Sequence, residues 1–108
     1  MFRSTHAAVE APVQPLVAPA RLTSDLRLEF RRAVLESLEG AVAVGETVVA
    51  VDLSRTEEMD ASGLGVLVLL QKRARERGVR TRLLNPPRAV AAMLAMTRLD
   101  TLFELAQG

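Results

Sequence analysis

The run Val48-Val49-Ala50-Val51-Asp52-Leu53 constrains this chain most. It is β-branched, nearly all apolar and bounded by the turn residues Gly45-Glu46 and Ser54-Arg55. Such a run reads as a central strand buried on both faces, the pattern of a parallel sheet covered by helices. A parallel neighbour needs a crossover, and the sequence offers one on either side.

Upstream, Thr23-Ser24-Asp25 is a helix start signal with oxygens for the orphan N–H groups and an acid for the dipole. Leu26, Phe30, Val34 and Leu38 follow at spacings of four, with Ala33 beside them. Gly40 is a suitable C′ residue, so the first helix is expected over about residues 24–39. Downstream, Asp60-Ala61-Ser62-Gly63 opens a second helix that runs through Leu64, Leu67, Val68 and Leu70 and stops at Gly78. Val79 to Leu84 is a further strand, with Val79, Thr81 and Leu83 on one face and Arg80 and Arg82 on the other. Asn85-Pro86-Pro87 reads as an N-cap followed by proline in the first turn of a third helix carrying Val90, Met93, Leu94 and Thr97. Residues 13–18 can form an edge strand, because Pro15 donates no ladder bond, and Leu102 to Leu105 a last one. Residues 1–12 show no period and are expected to be loose. The alternation of strand and helix predicts one small α/β domain over residues 13–108, with a mixed, mostly parallel sheet and surrounding helices.

Composition narrows the function classes. There is no cysteine, and the one histidine is His6, so a Ser-His-Asp triad and Cys- or His-based metal sites find no residues. No catalytic residue, metal site or cofactor is expected. With no Trp or Tyr and a net charge of +1, base-stacking platforms and long-range attraction to nucleic acid are unsupported. The longest apolar run, Leu64 to Leu70, is far short of the roughly 20 residues a membrane span needs, so no membrane insertion is expected.

The loop Ser54 to Gly65 (SRTEEMDASGLG) lies where functional sites of α/β sheets collect, at the carboxyl end of a strand. It leads into a helix N-terminus that favours an anion. Ser62 stands in that first turn, either as a plain helix cap or as a hydroxyl that would carry a phosphate in a favourable field. Asp60 has the same bland reading as a cap. The nucleophile elbow is not met, since Asp60 stands two before the serine where glycine is required. Gly63-Leu64-Gly65 lacks the third glycine of a dinucleotide loop, because Val68 stands there. Five acids and one base lie between Glu46 and Asp60, and six bases with only Glu76 against them between Lys72 and Arg82. The basic run reads as a solvated helix end that complements the dipole, or as a docking patch for an acidic partner.

The stretch VVAVDLSRTEEMDASGLGVLVLLQKRARERGVRTRLLNPPRAVAAMLAMTRLDTLF, residues 48–103, resembles a STAS domain, the fold of sulphate-transporter tails and anti-sigma factor antagonists. The likeness lies in a hydrophobic strand ending Asp-Leu-Ser, a short loop, Asp-x-Ser-Gly-Leu, a helix, a second strand and a closing Leu-Phe. In the stand-alone bacterial members, the serine matching Ser62 is phosphorylated by a GHKL-type kinase that is also the anti-sigma factor. The resemblance implies a cytoplasmic, non-enzymatic switch controlling sigma-factor-dependent transcription. Its partner-binding turn would be Asp60, Ala61, Ser62, Gly63 and Leu64, and a metal-dependent serine phosphatase would reset it. Two departures stand out: Ala61 replaces the first serine of the family pair, and Ala20-Arg21-Leu22-Thr23 replaces a Gly-Glu-Leu-Asp element. The alternative is a STAS subunit that binds constitutively, in a lipid-transport ABC system or a signalling scaffold, without phosphorylation.

Overall fold

The computed structural model describes residues 14–107. The expected loose segment over residues 1–12 lies outside the described residues. Among the described residues six strands and three α-helices follow in the order β1 (Leu16–Val17), β2 (Arg21–Leu22), α1 (Arg27–Ala43), β3 (Val48–Asp52), β4 (Glu58–Met59), α2 (Ala61–Glu76), β5 (Arg80–Leu84), α3 (Arg88–Met96) and β6 (Glu104–Ala106). Short 3₁₀ turns at Ser24–Leu26 and Leu99–Leu102 precede α1 and β6.

The main sheet has the order β1-β3-β5-β6 and every pairing in it is parallel. The expected neighbours are adjacent at its centre, with Val49 opposite Thr81 and Val51 opposite Leu83. Val49, Val51, Thr81 and Leu83 are buried, while their in-between neighbours are half-buried apart from exposed Arg80. The apolar run therefore buries one face fully and the other in part. Helices α1 and α2 pack on each other and over β3 and β5. Phe30, Val34 and Leu38 from α1 meet Leu67 and Leu70 from α2 and Val49, Val51 and Leu83 from the sheet in one core. Among the described residues no helix is long and apolar enough to cross a membrane.

Several local expectations are corrected. Gly40 does not end the first helix, which continues to Ala43. The apolar stripe runs on to Ala41, which is fully buried, and that packing outweighs the cost of a mid-helix glycine. The turn comes at Gly45, whose φ of 78° is left-handed. Thr23, Ser24 and Asp25 give α1 no side-chain cap; they form the 3₁₀ turn instead, and the Thr23 hydroxyl donates to the Asp25 carboxylate. Asn85 is not the N-cap of α3. The N-cap is Pro87, which is extended at φ −63° and ψ 161° and contributes no side-chain cap. Asn85 turns the chain with φ 53° and donates its N–H to Ala106 at 2.7 Å. Thr97 lies just past α3, where its hydroxyl donates back to Met93 and Leu94 carbonyls at 2.8 and 3.1 Å. The last strand, expected over Leu102 to Leu105, spans Glu104–Ala106, because the 3₁₀ turn takes up residues through Leu102.

The Ser54–Met59 loop contains β4, which pairs in parallel with β2 as a separate two-stranded sheet. The basic run after Lys72 is partly neutralised within the chain. Arg77 reaches Glu39 at 2.7 Å, and Arg80 and Arg82 both reach Glu104 on the neighbouring strand, at 3.2 and 2.9 Å.

Candidate functional site

The carboxyl end of β3 sets the site. Leu53 extends the ladder by donating its N–H to Leu84 at 2.8 Å. Asp52 then folds the loop back by accepting the Ser54 N–H at 2.9 Å. That bond, with help from the side chains of Ser54 and Asn85 and the nearby Arg55, holds the Asp52 carboxyl below the usual carboxylate range. Thr56 is buried and donates its hydroxyl to the Pro19 carbonyl at 3.0 Å. The Ala20 carbonyl accepts from both Glu57 and Glu58, at 2.7 and 3.1 Å. Leu22 accepts the Asp60 N–H at 3.2 Å. The acidic loop is thus pinned along residues 19–22, which delivers Asp60 to the start of α2.

Asp60 holds two helix beginnings together. Its Oδ1 accepts the N–H groups of Ser62 and Gly63 at 2.9 and 3.1 Å, capping α2. Its Oδ2 accepts the N–H of Ser24 at 3.1 Å, in the turn that leads into α1. Leu64 closes the first α-helical bond by donating to the Asp60 carbonyl at 3.0 Å. Gly63 has no room for a side chain, since a Cβ would meet the Leu22 carbonyl oxygen at 2.1 Å.

The cap reading therefore belongs to Asp60 and not to Ser62. Ser62 is half-buried in the first turn, and among the described residues its hydroxyl makes no side-chain hydrogen bond. Ala61 is exposed, Asp60 half-buried, and Gly63 and Leu64 buried. Of the five residues in the turn, three reach solvent and two seat it on β2 and the core. Ser62 also lines an open groove of about 420 Å³ between α1 and α2, shared with Arg27, Arg31, Ala61, Gly65 and Leu69. Arg27 and Arg31 were not apparent as site residues in the sequence. Their spacing of four on an exposed helix face was the available signal.

Arg21 forms ion pairs with Glu58 and Asp25, both at 3.2 Å, so its charge is balanced within the chain.

The profile of the family described as "Mlab, STAS domain" matches residues 13–105 of this chain. The chain belongs to the STAS domain family. Its fold is similar to that of a candidate anti-sigma factor antagonist from Thermotoga maritima. Against the crystal structure of that protein the TM-score is 0.73 at 23% identity, covering 90% of this chain and 86% of that one. Against its NMR structure the values are 0.66 and 24%, covering 82% and 69%. The unphosphorylated anti-sigma factor antagonist SpoIIAA matches this STAS domain with a TM-score of 0.60 at 17% identity, over 91% of this chain and 84% of that one. At these identities the likeness is one of fold. A comparison with curated proteins gave no match.

Proposed function

We propose that this STAS domain, residues 13–108, is an anti-sigma factor antagonist of the bacterial cytoplasm, switched by phosphorylation of Ser62. It acts by binding and not by catalysis. The observation that carries the reading is the division of labour in the first turn of α2. Asp60 does all the capping, which leaves the Ser62 hydroxyl without a structural task at an accessible helix N-terminus.

The unphosphorylated turn Asp60–Leu64 presents Ala61 and Ser62 to a GHKL-type kinase that is also the anti-sigma factor. Binding displaces the sigma factor and permits transcription. The kinase then transfers the γ-phosphoryl group of its bound ATP to Ser62 Oγ. The bond from γ-phosphorus to the bridging oxygen breaks, ADP leaves, and the hydroxyl proton passes to a base of the kinase. The product carries about −1.5 to −2 charges on the docking surface, beside the acidic Glu57, Glu58 and Asp60. Desolvating that charge on docking opposes rebinding, and a hundredfold loss of affinity needs only about 2.7 kcal/mol. A metal-dependent serine phosphatase restores the hydroxyl.

A second reading is favoured by Arg21, which stands where the kinase-regulated members carry an acid. In that reading the domain is a constitutive STAS subunit, of a lipid-transport ABC system or a signalling scaffold, and Ser62 is a permanent contact residue. Intact-mass measurement of the protein isolated from its native cells separates the two. The switch reading expects a species heavier by one phosphoryl group that is missing from Ser62→Ala. Unmodified protein under every growth condition overturns it in favour of constitutive binding.

A further inference from the structure

The outward face of α1 carries its charges in the order a lone helix resists. Arg27, Arg31 and Arg32 occupy the first two turns, and Glu36 and Glu39 follow. The macrodipole is positive at the first end and negative at the last, so each set stands towards the end that repels it. Base before acid is also the weaker order for pairs four residues apart. Arg32 and Glu36 have that spacing, yet no ion pair joins them. Among the described residues Arg31, Arg32 and Glu36 have no ion-pair partner, whereas Glu39 is held by Arg77 at 2.7 Å. The acid in the first turn, Glu29, borders a different groove with Pro19 and Phe30.

Between these charges lie Leu28 and Leu35, seven residues apart. Leu28 is 69% exposed. Together with Arg31, Arg32, Glu36 and Glu39 they line an open groove of about 520 Å³. Exposed Leu28 and half-buried Leu35, bordered by segregated charges of which Arg31, Arg32 and Glu36 lack an ion-pair partner among the described residues, have the make-up of a contact surface.

We propose that this face joins two copies of the chain, α1 against α1, antiparallel about a two-fold axis passing between Arg32 and Glu36. The charge pattern selects this occupant. A two-fold contact is isologous, so an antiparallel pair sets the cationic half of each helix on the acidic half of the other, twice over. Arg32 faces the partner's Glu36 while Glu36 faces the partner's Arg32, and Leu28 and Leu35 are covered. Each set of charges then stands near the dipole end of the opposing helix that attracts it. One helix face is small against the area of a stable dimer, so the association is weak and sensitive to salt. This inference does not depend on Ser62 or on the switch.

Sedimentation equilibrium of the full chain, from about 10 μM to about 1 mM, tests it. The expected result is a monomer–dimer equilibrium that weakens as salt is added. Arg32→Glu should weaken it at least tenfold, and Arg32→Glu combined with Glu36→Arg should restore it, since the exchange preserves the pairing. Both residues are exposed, and an acid in the earlier turns suits the dipole, so the melting temperature of Arg32→Glu monitors an intact monomer. Monomer at every concentration overturns the proposal. So does a dimer that Arg32→Glu leaves unchanged, or one the double exchange fails to rescue.

Discussion

Gly63 packs its backbone directly against Leu22. A Cβ at this position would lie 2.1 Å from the Leu22 carbonyl oxygen and 2.7 Å from its Cβ. Neither atom can swing aside, since both belong to the short strand that also receives the Asp60 N–H. Gly63→Ala must push β2 away from α2 and should cost at least about 2 kcal/mol, towards the upper part of the overpacking range. Gly65, one half-turn on, has nothing within 4 Å, so Gly65→Ala should gain about 0.5–1 kcal/mol from helix propensity. Urea unfolding of the two variants checks this. Equal stabilities would contradict the contact between α2 and β2.

Asp60 offers a sharper test, because asparagine is ordinarily as good a cap as aspartate. Here both oxygens accept: Oδ1 from Ser62 and Gly63, Oδ2 from Ser24. Asparagine can keep the first pair but would turn an NH₂ group towards the Ser24 N–H. Asp60→Asn should therefore destabilise by about 1 kcal/mol and Asp60→Ala by about 2–3 kcal/mol. Denaturant midpoints at neutral pH would show it. An unperturbed Asp60→Asn would mean the bond to Ser24 contributes nothing.

The features that position this site were unevenly legible. The central strand and the start of α2 were readable because Val48–Leu53 and Asp60-Ala61-Ser62-Gly63 each carry a dense local signal. The β2–β4 pair was not, since two-residue strands such as Arg21–Leu22 and Glu58–Met59 have no room for a period. Their existence rests on backbone bonds from residues 57, 58 and 60 to residues 20 and 22, far away in sequence. For the same reason the second task of Asp60, on Ser24, could not be read locally. Gly40 misled because its own propensity argues for a stop, while Ala41 supplies a buried contact that only the assembled core reveals.

Acid sensitivity should arise in part at the carboxyl end of β3. Asp52 is held below the usual carboxylate range chiefly by the Ser54 N–H, and Asp25 by the Thr23 hydroxyl. A depressed folded-state pKa contributes stability that is present above the unfolded pKa of about 4 and is lost as pH falls through the folded value. The unfolding free energy should thus decline below about pH 4. Asp52→Asn should make that decline shallower while leaving the slope above pH 6 unchanged. Unfolding curves taken across this range would check it, and identical slopes for wild type and variant would remove Asp52 as a contributor.

Val51 tests the core itself. It is fully buried in β3, opposite Leu83 on β5. Val51→Asp places a carboxylate there with no partner, a change that costs several kcal/mol and exceeds much of the stability of a domain this size. Loss of the cooperative thermal transition is expected. A melt close to that of wild type would contradict the burial of β3.

Ser62 should be nearly silent for stability and decisive for binding. Its hydroxyl caps nothing, so Ser62→Ala should change the unfolding free energy by less than about 0.5 kcal/mol. Ser62→Glu should also be tolerated, since a carboxylate in the first turn of α2 suits the dipole and Arg27 and Arg31 border the same groove. Against the kinase partner the two variants should part. Ser62→Ala should bind like unphosphorylated wild type. Ser62→Glu should bind at least tenfold more weakly, because the partner must strip water from an added charge. Glutamate carries less charge than a phosphate, so phosphorylated wild type should bind more weakly still. Titration calorimetry of all four forms, with melts run in parallel, separates a binding effect from an unfolding one. Equal affinities across the four, with the folds intact, would place the docking surface elsewhere than the start of α2.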